Sequence, residues 1–457
     1  MIVMKFGGTS VESAAALERV AGIVKERVPR RPVVVVSAMG KTTNRLLAMA
    51  QAAAAGKPDA AKSQMEELRA YHAEQASQVV RAEDRQELAS LLNEHFRELA
   101  QMLDAIAKAG EFAPPMVDAV SSIGERLSSR IVTLVFRFFG IDAVHADARS
   151  VIKTDTRHTQ AAPLFHRSYA RLAETVAPLA ATQVVVMGGF IGSTQDGVTT
   201  TLGRGGSDYS ASIVGAGIGA SEIQIWTDVD GMLTCDPRIV PGGHRVKIIS
   251  FDEAAELAYF GAKVLHPATV LPAVEKNIPV LILNSRRPEV DGTRIVRDAP
   301  PSRNVIKSIA AKPNITVVKV QSLRMLMAYG FLRRIFEVFD RYRTPVDMVS
   351  TSEVSVSLTI DNPQSLSAIR EELERIAEVE VESGRAIVCI VGDNIRGTPG
   401  VGARIFRALG NINVLMVSQG ASQLNFSFVV AAEDLKEAVA ALHKEFFSEL
   451  DPEVFDA

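Results

Sequence analysis

The sequence predicts an α/β fold, an αβα sandwich on a mainly parallel sheet, followed by two smaller α+β modules. Three observations predict it. Up to about residue 295, short β-branched runs alternate with longer helical patterns, the signature of strand–helix–strand units. From 285 to 302 the segment SRRPEVDGTRIVRDAPPS collects proline, glycine and charge without periodicity, as an interdomain linker does. Beyond it the chain repeats itself. Ile335-Phe336 followed by Val346-Asp347-Met348-Val349-Ser350 returns as Ile405-Phe406 followed by Val414-Leu415-Met416-Val417-Ser418.

Composition narrows the function. The 457 residues suggest about three domains at roughly 150 residues each. Apolar residues at 47% and charged residues at 23% are near the averages for globular chains, which excludes a disordered or fibrous protein. A net charge of −3 supplies no general attraction for nucleic acid or an anionic membrane, so neither is expected as a partner and a small molecule is. Cys235 and Cys389 lie far apart without metal-ligand spacing, pointing away from zinc, redox or disulfide chemistry. The start runs straight into a strand-like segment without a signal pattern, and no uncharged apolar stretch reaches about 18 residues; a cytoplasmic location is the expectation.

Strands are expected at 2–6, 33–37, 143–146, 183–187, 222–227 and 279–283, and ligands bind such sheets at the carboxyl ends of their strands. The first helix shows its buried stripe directly, Leu17, Val20, Ala21, Val24 and Val28, with Glu18, Arg19, Lys25 and Glu26 opposite. Between 46 and 110, Ala, Glu, Gln and Leu dominate with few turn formers, so helical excursions from the sheet are expected there. A mostly apolar helical stretch at 117–139 carries Glu125 beside Gly124 and small serines. An amphipathic helix is expected over 209–216, capped from Ser207-Asp208, and Ser250 with Glu253 forms a capping box for another.

The chemistry gathers at the strand ends. In Lys5-Phe6-Gly7-Gly8-Thr9-Ser10, two glycines let backbone amides approach an anion while Lys5 adds a full charge, so this turn reads as a phosphate cradle; a purely steric role for the glycines is the plain alternative. Gly40-Lys41-Thr42 resembles a Walker A loop but fails on spacing, because position 35 is Val35, inside a strand. Ser37, Thr42 and Thr43 remain as hydroxyls on that loop. In the segment TTTLGRGGSD at 199–208, three glycines around Arg204 make a loop able to wrap a carboxylate or phosphate. Glu125 is a candidate for a ligand ammonium, Thr227-Asp228 and Arg238 lie where a nucleotide would sit, and Lys263 is a second cation in an apolar context. The eight histidines show no pairing, and His266 before Pro267 reads as a helix start.

Taken together, KFGGTSV at 5–11, VVVVSAMGKTTN at 33–44, GGFIG at 188–192, TTTLGRGGSDYSA at 199–211, WTDVDG at 226–231, FGAKVLHP at 260–267 and TSEVSVS at 351–357 resemble the aspartokinases, the aspartate kinases of the amino-acid kinase family, in the same order over nearly the whole chain. The resemblance implies a catalytic domain over 1–295 and two ACT modules, 303–384 and 385–457, with the strand near 305–311 belonging to the second. It implies that Lys5, Phe6, Gly7 and Gly8 contact ATP phosphate, that Thr227, Asp228, Leu233, Arg238, Lys263 and Val264 complete the nucleotide site, and that Ser37, Thr43, Glu125, Phe190, Arg204, Gly205, Gly206 and Ser207 hold L-aspartate. Lys5, Asp208 and Lys263 would be the catalytic set, Asp208 orienting the lysines, with Mg²⁺ accompanying ATP and no resident metal. Leu233 departs from the tyrosine that relatives often carry against adenine. An effector site is implied at Met325, Gly330, Phe331, Leu332, Val346, Asp347, Thr351, Ser352 and Glu353, with lysine the expected effector even though Ala328 replaces a serine there. The layout is most similar to the monofunctional, lysine-sensitive kind, since no fused homoserine dehydrogenase follows Ala457, and implies a homodimer or dimer of dimers. Two other readings stay open on sequence: a kinase of another amino-acid carboxylate, and a nucleotide- and amino-acid-sensing regulator without turnover.

Overall fold

The structure, a computed structural model, describes residues 1–261, 267–322, 329–420 and 422–456. Its contacts divide the chain into two units, one of residues 1–231 and 264–298, the other of residues 232–263 and 299–457. No helix among the described residues is long and apolar enough to cross a membrane.

In the first unit, seven strands form one sheet in the order Ala143–His145, Val184–Gly188, Pro32–Val36, Ile2–Phe6, Ile223–Thr227, Val280–Asn284, Thr293–Val296. All neighbours are parallel except the last pair. The central strands IVMKF and PVVVV are buried at every position, because helices cover both faces and no side of the strand meets water. Register places Phe6 beside Val36 and Trp226, and Val36 beside Gly188, so the turns that follow these strands emerge side by side. That alignment builds the site.

Local rules explain both ends of the first helix. Ser13 caps helix Ala14–Arg27, its hydroxyl accepting from the Ala16 amide at 3.2 Å, and Leu17, Val20, Ala21 and Val24 form the buried stripe. Val28 does not continue it. The α-helix stops at Arg27 and Val28 is exposed, because Pro29 has no N–H to extend the ladder. The excursion is three helices, Thr42–Ala54, Pro58–Ser77 and Arg85–Ala109, which lead into helix Pro114–Phe138. That helix is buried almost all round from Val120 to Phe136. It comes so close to the loop after Pro32–Val36 that a Cβ on Gly124 would lie 2.7 Å from the Ala38 methyl.

Two expectations are corrected here. Helix Gly206–Ile218 starts at Gly206 behind Gly205, whose φ of 72° only glycine adopts easily, so Ser207 and Asp208 lie inside its first turn and not at its cap. Their side chains are engaged across the cavity described below. The segment taken as a linker also contains a strand, Thr293–Val296, antiparallel to Val280–Asn284. Its period of two, with Thr293 and Ile295 buried and Arg294 exposed, is hidden between charged neighbours.

In the second unit, an antiparallel sheet runs in the order Val349–Thr351, Ser355–Ile360, Ile306–Gln321, Glu378–Gly392, Asn425–Ala431, Met416–Ser418. The two Met-Val-Ser repeats thus contribute to opposite edges. Strand Ile306–Gln321 changes register between Lys312 and Val317: its first half pairs with Ile387–Gly392 and its second half with both Ser355–Ile360 and Glu378–Glu382. Helices Phe331–Arg341 and Val401–Leu409 are likewise repeats, each entered through a left-handed glycine, Gly330 at φ 75° and Gly400 at φ 83°. Segment 232–263 adds helix Phe251–Tyr259, whose Ser250–Glu253 capping box is present and whose Glu253 carboxylate is met by Lys307 at 3.0 Å, both side chains being buried.

Candidate active site

A cavity of about 330 Å³ opens at the carboxyl ends of the central strands of the first unit. Its wall brings together Lys5, Gly8, Ser37, Ala38, Gly40, Thr43, Glu125, Phe190, Gly203, Gly205, Gly206, Ser207 and Asp208, residues far apart in the chain.

Lys5 ends the central strand, and its ammonium lies 2.7 Å from the Asp208 carboxylate in the first turn of helix Gly206–Ile218. Both side chains are largely buried, at 11% and 16% exposed, so the cation is held by a partner in place of water. Gly8 could not be any other residue: a Cβ there would stand 2.8 Å from the Gly40 carbonyl and 2.9 Å from that of Ala38. The Gly40 amide in turn donates to the Gly8 carbonyl at 2.9 Å, which ties the two strand-end turns together. Gly7 has no such crowding, its Cβ position lying 3.7 Å from the Lys5 ammonium, so it leaves the lysine's approach open. Steric need therefore explains Gly8 but not Gly7.

The opposite wall is equally tight. Ser37 donates its hydroxyl to Ser207 at 3.0 Å, and Gly189 permits this because a Cβ on it would fall 2.8 Å from that of Ser207. Gly206 does the same for Phe190, whose ring would lie 2.6 Å from an added Cβ. Phe190 itself has φ 65°, unusual for a bulky residue, and is held there by its amide donating to the Ser210 hydroxyl and its carbonyl accepting from the Leu202 amide, both at 2.9 Å. Asp118, on the same helix as Glu125, anchors the glycine loop from behind by accepting from the Thr201 hydroxyl, the Thr159 amide and His158.

Glu125 is fully buried. One carboxylate oxygen accepts from the Ala38 amide at 3.2 Å; the other makes no hydrogen bond among the described residues. Burial pushes its pKa up to about 8, with the Ala38 amide as a partial offset. An unpartnered carboxyl oxygen on a cavity wall, kept neutral by burial, suits a cationic N–H group from a ligand, which would favour its ionised form.

Other expected residues stand elsewhere. Arg204 is exposed, outside the cavity lining, and makes no hydrogen bond or ion pair among the described residues. Phe6 is buried and stacks on Trp226, so only its backbone faces the turn. Thr227 ends its strand with its hydroxyl donating to the exposed Asp228 at 3.3 Å, while Ser285 and Ser10, not expected from sequence, join hydroxyls beside it at 2.8 Å. Leu233 and Arg238 belong to the second unit, where Arg238 is exposed with its fork on Asp236. Gly330, Phe331, Leu332, Val346, Asp347, Thr351, Ser352 and Glu353 lie in the second unit too; the Phe331 ring is in its core. Asp347 accepts from the Lys312 ammonium at 2.7 Å, and that ammonium also reaches Asp361 at 2.9 Å. Lys263, Val264, His266, Met325 and Ala328 lie outside the described residues. Sequence reasoning missed the Ala38 amide and Asp118, and quoted GGFIG at 188–192 without foreseeing that Gly189 makes room for Ser207. A lone acid in an apolar helix was the available signal for Asp118.

Strand-end cavities of this build are where α/β enzymes hold small charged substrates. Comparison with known proteins gives the particular line. Residues 1–284 match the model of the amino acid kinase family, and residues 388–446 that of an ACT domain. Lysine-sensitive aspartokinase 3 of Escherichia coli K12 is 37% identical over 98% of this chain and 99% of its own length. Two solved structures of E. coli aspartokinase III, one in complex with aspartate and ADP and one with lysine and aspartate, superpose with TM-scores of 0.82 and 0.84, each at 36% identity over 98% of this chain and 100% of theirs. The chain belongs to the amino acid kinase family and, within it, to the aspartokinases.

The Glu125 geometry has a direct consequence for stability. Ionising this carboxyl is opposed in the folded chain and free in the unfolded one, so its contribution makes the folded state progressively less stable as pH rises from the ordinary carboxylate range to about 8. Glu125→Gln is therefore expected to melt near the wild-type temperature at the acid end of that window and several degrees above it at the alkaline end, as thermal melts across the range would show. Parallel pH dependence of the two proteins would contradict the assignment.

Proposed function

We propose that this protein transfers the γ-phosphoryl group of ATP to the β-carboxylate of L-aspartate, giving 4-phospho-L-aspartate and ADP. The observation that carries the reading is one cavity that presents the Lys5 ammonium, held by Asp208, on one wall and the unpartnered Glu125 oxygen on another. The first suits a phosphoryl group, the second an amino group, and an amino acid being phosphorylated needs both. The family relationship, and the aspartate and ADP in the E. coli enzyme's structure, support the same substrates.

A substrate carboxylate has a pKa near 4 and is already ionised at pH 7, so it needs no general base to attack phosphorus. The remaining obstacle is repulsion between two anions. Lys5 and the amides of Phe6, Gly7 and Gly8 are assigned to ATP phosphate, with Lys263 as second cation and Thr227 and Asp228 toward the nucleotide. Mg²⁺ would enter with the ATP, whose phosphates would supply most of its ligands and whose charge it would offset. Ser37, Thr43, Phe190, Gly205, Gly206 and Ser207 shape the aspartate pocket, and Glu125 receives its ammonium. Arg204 is assigned to its α-carboxylate, the left-handed glycines at 203 and 205 giving the loop the freedom to bring it in.

The regulatory half is read as two ACT modules, 303–384 and 385–457. The pairing of Ile306–Lys312 with 387–392 supports giving that strand to the second module. L-lysine is the proposed effector, with its ammonium at Asp347. The Lys312 ammonium already there is a competitor of the same chemistry. A homodimer or larger assembly and a cytoplasmic setting complete the reading.

An assay of ADP release with a panel of amino acids is expected to show turnover with aspartate alone, and Lys5→Ala to lower kcat by several orders of magnitude while aspartate binding is largely kept. Turnover with another carboxylate and none with aspartate would replace the substrate; near-normal turnover of the variant would remove the role of Lys5. Titration with lysine should inhibit the wild type, and Asp347→Asn should raise the half-inhibiting concentration about tenfold or more, as loss of a charge-assisted contact implies. Indifference of the wild type to lysine would remove the effector reading.

A further inference from the structure

Behind the helix that carries Glu125 lies a second cavity of about 350 Å³, similar in size to the substrate cavity and used by nothing described so far. Helix Pro114–Phe138 lines it with Arg126, Arg130, Thr133 and Arg137, spaced by four, three and four residues and so on one face. Arg149, from the short helix Ala148–Val151, faces them, and His145 lies beside it with its ring nitrogen 3.1 Å from the Ser129 hydroxyl.

The four guanidinium groups are not equivalent. Arg126 is 13% exposed and its fork is closed on Glu98 by two contacts of 2.8 Å. Arg149 is closed on Asp147 at 2.7 Å. Arg130 and Arg137 touch carboxylates only at 3.4 Å (Glu94) and 3.5 Å (Glu87), and those acids are 61% and 48% exposed. Exposed pairs of such length add little stability, and each arginine has five N–H groups to offer. Glu87, Glu94 and Asp147 line the cavity beside the arginines, and Arg137 also donates its Nε to the Ala143 carbonyl at 3.5 Å, but Arg130 and Arg137 still have N–H groups that only these long contacts engage, while Arg126 and Arg149 are closed on their partners and set the shape.

We propose that this cavity is a second ligand site for a compact molecule carrying two or more anionic oxygen groups, phosphate or carboxylate, which Arg130 and Arg137 grip by their forks. The site is distinct from the substrate cavity but is lined from the same helix. Glu125 and Arg126 are consecutive residues of one helix, projecting about 100° apart, and each lines a different cavity, while Gly188, which lines the second, has its Cβ position only 3.1 to 3.3 Å from Glu125 atoms.

The test uses pyrophosphate and citrate as probes in calorimetric titrations of the full chain. Wild type and Lys5→Ala should both bind at least one probe saturably, since Lys5 belongs to the other cavity. Arg130→Glu, a change at a partly exposed position, should weaken that binding by about ten- to a hundredfold, as loss of a charge-assisted contact implies. Arg137→Gln should weaken it in the same direction and stands in if the first variant misfolds. Preference for pyrophosphate assigns the site to phosphate esters, and preference for citrate to polycarboxylates. Equal binding by wild type and both arginine variants, loss of binding in Lys5→Ala alone, or no saturable binding at millimolar probe would overturn the proposal.

Discussion

The ion pair between Lys5 and Asp208 is the constraint on which the rest of the catalytic half depends. A lysine at the end of a fully buried parallel strand has little water to neutralise it, and leaving such a charge unpaired would be strongly unfavourable. Asp208 meets it from the first turn of a helix that begins only because Gly205 adopts a left-handed conformation. The pair therefore links the central strand to the glycine-rich loop, and the positions of Ser207, Phe190 and Gly206 follow from that link. The same pairing holds Lys5 on the wall of the cavity, where the proposed reaction needs a cation for the phosphoryl group.

Glu125 illustrates the complementary strategy. It is a carboxyl kept from water with one oxygen satisfied and one not, an arrangement that is costly in the absence of a donor and favourable with one. Under the proposed reading, specificity for an amino acid arises from that imbalance, because a ligand without an ammonium leaves the oxygen unpaired. Cation and carboxylate both line one cavity, an arrangement that in the proposed reaction would sort the phosphate and amino ends by charge.

Much of this was legible in the sequence because parallel strands buried on both faces read as unbroken β-branched runs, and because Lys5, Glu125 and Ser207-Asp208 stand at strand ends or in apolar settings where charge is conspicuous. The Met-Val-Ser repeat likewise marked the two edges of the regulatory sheet. What escaped was set by tertiary contact. Nothing local tells that Ser207 and Asp208 reach across the cavity and leave the cap to Gly205, that Phe190 is held at positive φ, or that segment 232–263 packs with the C-terminal unit. Strand Thr293–Val296 is hidden by its charged surroundings, and Val28 fits the spacing of the stripe although Pro29 ends the α-helix before it. The arginines at 126, 130 and 137 had the spacing of a solvated helix face; only the folded chain shows that they enclose a cavity with Arg149.

The most direct measurement of the central claim is a crystal structure of the full chain with L-aspartate and a non-hydrolysable ATP analogue. The account expects the Lys5 ammonium to bridge Asp208 and the terminal phosphate, with the second oxygen of Glu125 on the aspartate ammonium. A nucleotide bound with Lys5 turned away from its phosphates, or an aspartate whose amino group lies far from Glu125, would contradict it.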